Sequence, residues 1–468
     1  MKASQILLSL SLGVSAIAGR SAKPNFIFII TDDQDLHLDS LEYQASVQKH
    51  FAQEGTWFKK HFCTIALCCP SRVSLLTGKA AHNTNVTDVS APYEEAIAAS
   101  DRPFFLGVAP IAPHSETITQ PRPPKFLPPV PAKRHEHLFP DAKVPRTPNF
   151  NPNITGTTSY FKTLRKLNQS EIDYNDAWYR RRVQSLQSVD ELIDSIISRL
   201  EASPEVFENT YLIYTTDNGF HIGQHRLPPG KSCGIEEDVN IPFFIRGPGV
   251  AKGAVQTVPS SHTDIVPTLF HLAGIPLRED FDGEPIPVTT DMQARNEKSE
   301  HVNIEFWGKY LVEGNTFYGQ DSFANNTYKT VRVVGDEYDL SYTVWCTNEH
   351  EVYDMTSDAY QLTNLYGHDT TTNNGWSIRK LTARLDALLL TLKRCKGRVC
   401  TRPWEALHPN GEVSNLRDAM DERYDAFYIE HQPPVTFEEC TLGQILSKEG
   451  ALEPLSWQNE WDAWSWEV

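Results

Sequence analysis

Four oxygen-bearing side chains stand in two adjacent pairs, Asp32-Asp33 and Asp217-Asn218, each just behind a short apolar run. Carboxylate and amide oxygens select a hard cation, Ca²⁺ or Mg²⁺, over zinc, which prefers nitrogen and sulfur. Taken singly, an Asp-Asp behind a strand is more often a turn or a helix cap. A second candidate is Cys68, two residues ahead of Pro70. Proline loses nothing in a helix's first turn, where its missing N–H would have no partner, so Pro70 predicts that residue 68 sits at a helix N-terminus. Free N–H groups and the helix dipole favour an oxyanion there, and Arg72, one turn on, has the donors to hold it.

These residues need elements that bring them together. Residues 25–30, Asn-Phe-Ile-Phe-Ile-Ile, form the continuous apolar run of a strand buried on both faces of a parallel sheet. Residues 104–109 and 210–214 repeat that pattern and are followed by Pro113-His114 and by Thr216-Asp217-Asn218-Gly219. Three buried strands thus deliver polar residues past their C-terminal ends, the edge at which open α/β sheets bind ligands. Val183, Leu186, Val189, Ile193, Ile196, Ile197 and Leu200 recur at steps of three and four and predict a helix covering the sheet. The proline-rich stretch 120–152 reads as a long loop, either substrate-facing or disordered. Past residue 275 come proline-rich loops, strand-like pieces at 328–334 and 342–345, and a helix over 378–392, which together predict a small α+β subdomain. The segment from Thr401 is rich in tryptophan, proline and acids, and either wraps the main domain or stays partly loose.

A chain of 468 residues exceeds the roughly 250 to 300 that one core organises, so two domains are expected. Its 43 Lys and Arg against 60 Asp and Glu leave a net charge of -17, which argues against nucleic acid as a partner. An anionic substrate must then be met by a few locally placed cations. Residues 1–18, with Lys2, the apolar run 6–18 and the ending Ala16-Ile17-Ala18, have the layout of a cleaved signal peptide. No later stretch reaches about 18 consecutive apolar residues, so no membrane span is expected and the protein is expected to be secreted. Asn-x-Ser/Thr sequons at Asn85, Asn153, Asn168 and Asn325 suit that route. Eight cysteines suit an oxidising compartment, and Cys395 with Cys400 could close a small loop, although pairing is not readable from sequence.

Cys68-Cys69-Pro70-Ser71-Arg72, continuing Val73-Ser74-Leu75-Leu76-Thr77-Gly78-Lys79, resembles the full signature of the formylglycine-dependent sulfatases. In that family a Cys two residues before Pro-Ser-Arg, with a later Leu-Thr-Gly-Lys/Arg, is oxidised to formylglycine. A buried structural cysteine, the commoner role, leaves the surrounding pattern unexplained. Ser261-His262-Thr263-Asp264 resembles a packing segment of the family. Ala80-Ala81-His82-Asn83-Thr84-Asn85 and Trp345-Cys346-Thr347-Asn348-Glu349-His350 resemble the fungal arylsulfatases within it. The resemblance covers residues 24 to about 365.

It implies an alkaline-phosphatase-like α/β fold, a mixed, largely parallel sheet flanked by helices plus a smaller C-terminal α+β subdomain. The division is then a signal peptide at 1–18, a catalytic domain at 19–300, a subdomain at 301–400 and an extension at 401–468. It also implies a Ca²⁺ held by Asp32, Asp33, Asp217, Asn218 and the converted residue 68, with Arg72, His114 and Lys231 meeting the sulfate. His221 and His225 read as pocket or support. The implied substrate is a small-molecule or glycan sulfate ester, and the implied maturation partner is a formylglycine-generating enzyme. A hydroxyl of hydrated formylglycine would attack sulfur while His114 protonates the leaving alcohol. Conversion of residue 68 leaves seven cysteines, so at least one, with Cys69 the candidate, stays outside a disulfide. Phosphate or phosphonate monoester hydrolysis on the same fold, and a non-catalytic secreted binding glycoprotein, are the rival readings.

The resemblance breaks behind the signature. The family carries a block there with a Gly-Lys-x-His element whose Lys and His contact sulfate. Here Ser90-Ala91-Pro92-Tyr93 runs almost at once into Ala99-Ser100-Asp101-Arg102-Pro103, and no Gly-Lys-x-His occurs. Either an exon is missing or the relative is degenerate. A strand and a helix go with the block, so an incomplete sheet near 93–101 and a site short of two cations are expected.

Overall fold

The computed structural model describes residues 23–87, 103–120, 125–154, 158–295, 298–314, 317–319 and 322–457. The leader expected at 1–18, the junction at 93–101 and Trp461, Trp464 and Trp466 lie outside the described residues.

Six strands form the main sheet: β1 (Asn25–Thr31), β2 (Thr56–Phe58), β3 (Phe105–Val108), β4 (Thr210–Thr216), β5 (Phe243–Arg246) and β6 (Ala254–Gln256). Their order is β3-β1-β4-β5-β2-β6. β3, β1 and β4 run parallel while β5 opposes both β4 and β2, so the sheet is mixed and largely parallel. The β1–β4 register pairs Thr31 with Thr216, which sets Asp32-Asp33 beside Asp217-Asn218 at one sheet edge.

Two helices cover opposite faces. α1 (Cys68–Thr77) ends at Gly78, whose φ of 67° is the left-handed turn that glycine adopts without strain. Its Leu75 packs with Phe26, Phe28 and Ile213. On the other face lies α2 (Gln169–Glu201), and its Leu186, Val189, Ile193 and Ile197 pack on Ile27, Ile29, Leu212 and Tyr214. Burying each such aliphatic side chain contributes about 1.5–3 kcal/mol. The predicted apolar stripe is therefore the one that faces the sheet. The helix begins earlier than that stripe, at Gln169, because the Asn168 side chain accepts from the Glu171 N–H and Glu171 bonds back to it.

One expectation is corrected. The strand at 104–109 is not buried on both faces: β3 is the edge of the sheet, with Phe105 54% and Leu106 45% exposed. Among the described residues no strand pairs with its outer edge. The stretch 120–152 is ordered where described, because it packs along α2: Gln184 donates to the Glu136 and Leu138 carbonyls and Arg146 pairs with Asp176.

The C-terminal part holds an antiparallel sheet of β7 (His301–Phe306), β8 (Tyr328–Gly335), β9 (Tyr338–Trp345) and β10 (His350–Asp354), in that order. α3 (Ile378–Leu392) packs on it at the predicted place. The segment from Thr401 joins the same core through Trp404, Leu416, Phe427 and Trp457, so it packs chiefly on the subdomain, while Arg402 pairs with Glu284 and Trp404 donates to Glu300 at the margin of the main domain. Disulfides join Cys346 to Cys440 and Cys395 to Cys400, while Cys63, Cys68, Cys69 and Cys233 stand outside both.

Candidate active site

Thr31 and Thr216 close β1 and β4, and the chain turns sharply behind each. Asp33 adopts a left-handed φ of 64°, which Asp tolerates better than most residues. That turn points its N–H at Asp217 Oδ1, 3.0 Å away. Gly219 follows Asn218 where a Cβ would stand 2.0 Å from the Glu237 carbonyl oxygen, so only glycine permits this close approach. Asn218 then donates to Asp33 Oδ1 at 2.7 Å. The four oxygen-bearing residues singled out in the sequence thus meet in one cluster, with Asp33, Asp217 and Asn218 buried and Asp32 partly exposed.

α1 brings Cys68 to the same place. Leu67 caps the helix in extended conformation without a side-chain bond, leaving Cys68 in the first turn as Pro70 predicts. The Cys68 Sγ lies 3.5 Å from Asp32 Oδ1 and 3.6 Å from Asp33 Oδ1. Arg72 donates to Asp217 Oδ2 at 2.9 Å and pairs with Asp32 at 3.0 Å, so in this structure it grips the carboxylates. Ser71 donates to the Asp217 carbonyl and meets His262, whose segment forms its own capping box and packs under α1.

Lys231 bonds Asp33 and donates to Cys68 Sγ at 2.9 Å. His114 stands with Nε2 3.6 Å from Asp33 Oδ2, its Nδ1 bonded to the Ser115 carbonyl at 2.7 Å. All the predicted catalytic and metal residues therefore converge. His221, fully buried, is held between Asp238 and Tyr310, and His225 is buried beside Asn149, so both support the site without entering it.

The electrostatics follow from crowding. Burial, then the Asp217 and Asp33 charges, push Asp32 up to about 7. Burial also opposes the Asp33 charge, but Lys231 and His114 outweigh it and hold Asp33 well below the usual carboxylate range. Burial works against the His114 imidazolium too, yet the Asp33 charge beside it prevails and raises it. Burial drives the Cys68 thiol upward despite Lys231, so unconverted Cys68 is not an activated thiolate.

A cation fits this set. Asp33 Oδ2 and Asn218 Oδ1 are buried oxygens without a hydrogen-bond partner, and a hard cation would satisfy both while relieving the repulsion on Asp32.

Two residues that no motif announced also shape the site. Arg182, wholly buried on α2, donates to the Asp33 and Pro113 carbonyls and to Asp35, tying two strand-end loops together. Glu313 accepts from Ser115 at 2.6 Å and lies 3.8 Å from Lys231, linking the loops that carry His114 and Lys231. Arg182 is the third of the run Arg180-Arg181-Arg182, so nothing local set it apart, and Glu313 carried no signal either.

The description "Sulfatase" fits the family model that matches residues 24–98 and 88–275, and the chain belongs to the sulfatase family of hydrolases. Sulfatase ppz1 of Metarhizium majus is 48% identical over 446 residues, covering 91% of this chain and 97% of that one. The arylsulfatase of Volvox carteri is 29% identical over 547 residues, covering 90% of this chain and 83% of the algal one. Among solved structures, BT4656 in complex with D-glucosamine-2-N,6-O-disulfate shares the fold at a TM-score of 0.59 and 18% identity, over 74% of this chain and 94% of that one. The algal alignment is longer than the 468 residues of this chain, so the alga's protein carries residues this one lacks. The fungal relative fits almost whole into an alignment shorter than this chain.

Proposed function

We propose that the chain is a secreted hydrolase of sulfate monoesters that acts through a formylglycine formed from Cys68 beside a Ca²⁺ ion. The observation that carries this reading is the placement of Cys68 in the first turn of α1, within 3.6 Å of Asp32 and Asp33 and 2.9 Å from Lys231. Once converted, residue 68 would supply a hydrated aldehyde as nucleophile, and a cation bound beside it would supply Lewis-acid polarisation. Asp32, Asp33, Asp217 and Asn218 hold the ion.

The protein's other groups bind and orient. Arg72 fixes the Asp32 and Asp217 carboxylates, Lys231 stands against both the nucleophile and Asp33, and His114 carries the proton for the leaving alcohol. Its Nε2 is the nitrogen that faces the site, since Nδ1 is engaged by the Ser115 carbonyl. The unactivated Cys68 thiol supports conversion over direct thiolate attack. The substrate class rests on likeness to relatives, one named arylsulfatase and one, 25% identical, named N-acetylglucosamine-6-sulfatase, which support an aryl or a glycan sulfate respectively. Secretion is supported by the leader-like 1–18 and by two disulfides, which form in oxidising compartments.

The two pieces of the family match meet at 88–98, where the sequence shortens, and the equally compact fungal relative supports a native loss over a missing exon. Paired assays on 4-nitrophenyl sulfate and 4-nitrophenyl phosphate test the reading. Sulfate turnover that exceeds phosphate turnover and vanishes in Cys68→Ala is expected. Preferred phosphate turnover, or sulfate turnover that survives in Cys68→Ala, would overturn it.

A further inference from the structure

The two faces of the C-terminal sheet have different neighbours. Phe306, Tyr328 and Trp345 pack with Phe62 and Leu227 of the main domain, whereas Leu340, Tyr342 and Val344 of β9 pack with α3. On the α3 side a cavity of about 860 Å³ opens between β9, β10, the loop 366–369, the first turns of α3 and residues 428–434. That size is within the roughly 300–1,000 Å³ of small-molecule sites. None of the residues placed at the catalytic centre lines it.

Its buried polar groups form one chain with an open end. Asp386 Oδ2 accepts the Val435 N–H at 2.9 Å, and Oδ1 accepts from the Tyr342 hydroxyl at 2.6 Å. Burial pushes Asp386 up to about 6, so at neutral pH it is ionised and takes the single Tyr342 hydrogen. Tyr342 must then accept from His350 Nδ1, 2.8 Å away. Burial holds His350 below the usual imidazole range, so the neutral ring keeps its hydrogen on Nδ1 and leaves Nε2 an acceptor. Among the described residues that nitrogen has no partner. Thr382 Oγ1, on α3, lines the same cavity and is buried without a hydrogen-bond partner. A bare acceptor beside an unmet hydroxyl fits a ligand that both donates and accepts.

The remaining lining sets shape and charge. Tyr366, 39% exposed, stacks on His350 with ring centroids 4.5 Å apart and planes within 8° of parallel. One face of the tyrosine is thus held, and the other is left for a flat apolar surface. Asp369 and Arg379 line the cavity as well, both exposed and neither in an ion pair among the described residues. Asp369 and Asp386 disfavour an anion. Arg379 offsets Asp369, and both Asp386 oxygens are engaged, so a cation finds no free buried carboxylate. A pyranose meets every one of these conditions: a C–H face for Tyr366, and hydroxyls that donate to His350 Nε2 and Asp369 and accept from Thr382 and Arg379.

We propose that this cavity binds an uncharged pyranose unit of a glycan, with Tyr366 as the stacking platform and His350 Nε2 and Thr382 Oγ1 as the inner hydrogen-bonding pair. Binding is non-covalent and needs neither formylglycine nor a metal, so it stands apart from the reading of the catalytic centre.

The test is saturation-transfer NMR on the full chain with methyl glucoside, galactoside, mannoside and N-acetylglucosaminide. Methyl glucuronide and choline serve as charged probes, and EDTA is present so that no metal at the catalytic centre captures a ligand. At least one neutral pyranoside should bind with a Kd on the order of 1 mM, more tightly than either charged probe. Tyr366→Ala should weaken it by about fivefold or more, while Tyr366→Phe keeps it. Thr382→Val should weaken it by about three- to tenfold without lowering the melting temperature, because the hydroxyl removed is buried and unpaired. His114→Ala, in the catalytic centre, should leave sugar binding unchanged. Each variant is first checked for a cooperative melting transition. No saturation by any of the four pyranosides, tighter binding of choline or glucuronide, an affinity unmoved by Tyr366→Ala, or one lost in His114→Ala would overturn the proposal.

Discussion

Asp217 joins three parts of the site: its Oδ1 accepts the Asp33 and Asn218 N–H groups and its Oδ2 accepts from Arg72. Asp217→Ala should therefore remove a cation ligand and release Arg72 together. With Ca²⁺ at about 100 times its Kd, binding adds roughly 2.7 kcal/mol to the stability of the intact chain. Thermal melts with calcium and with chelator should show that gain in the parent and none in Asp217→Ala; an undiminished calcium shift in the variant would place the ion elsewhere. The residues of this cluster were legible because each belongs to a short stretch whose local grammar carries meaning: a strand end with acids, or a cysteine two residues before a helix-opening proline. Arg182 and Glu313 were not, because a buried arginine on α2 and a glutamate far along the chain gain their roles only from tertiary contacts.

At the scale of elements, the apolar runs at 25–30 and 210–214 marked β1 and β4, and the run at 378–392 marked α3, since burial on a fixed period leaves a trace in sequence. The first half of α2 left none, for Tyr174, Asn175, Trp178 and Arg182 mix polar with aromatic groups. Its signal was the capping pair Asn168 and Glu171, so Asn168→Ala should cost about 1 kcal/mol in denaturant unfolding. A loss below the error of the measurement would mean the cap does not hold the helix. The apolar run at 104–109 did predict a strand, but not its place at the edge, because neighbours in a sheet are chosen by chain segments far away. Leu106→Ala on β3 should cost less than about 1 kcal/mol, whereas Ile29→Ala, fully buried on β1, should cost about 2–5 kcal/mol. Equal costs would show that the β3 side chain is covered in solution.

For the whole molecule, the parallel strands with their covering helix and the α+β character of the C-terminal part followed from the order of apolar runs and the alkaline-phosphatase-like class from the family resemblance, while the packing of the 401–457 segment into that second core did not, since its tryptophans fix no partner by themselves. No helix among the described residues is long and apolar enough to cross a membrane. Among the described residues Arg72, His114 and Lys231 lie against the site's carboxylates, and the sequence has no Gly-Lys-x-His to add more. One missing charge-stabilising donor typically costs about 10²- to 10³-fold in turnover. On 4-nitrophenyl sulfate the fully converted chain should therefore turn over at least about 10²-fold more slowly than the Volvox carteri arylsulfatase assayed beside it, and parity would mean that other groups supply the missing charge. The most direct test of the account is the mass of the residue-68 peptide from protein that hydrolyses aryl sulfate, made in a host able to convert cysteine. The account predicts an aldehyde at residue 68 that is trapped by a hydrazine reagent and absent from Cys68→Ala; an active preparation whose residue-68 peptide is wholly thiol would contradict it.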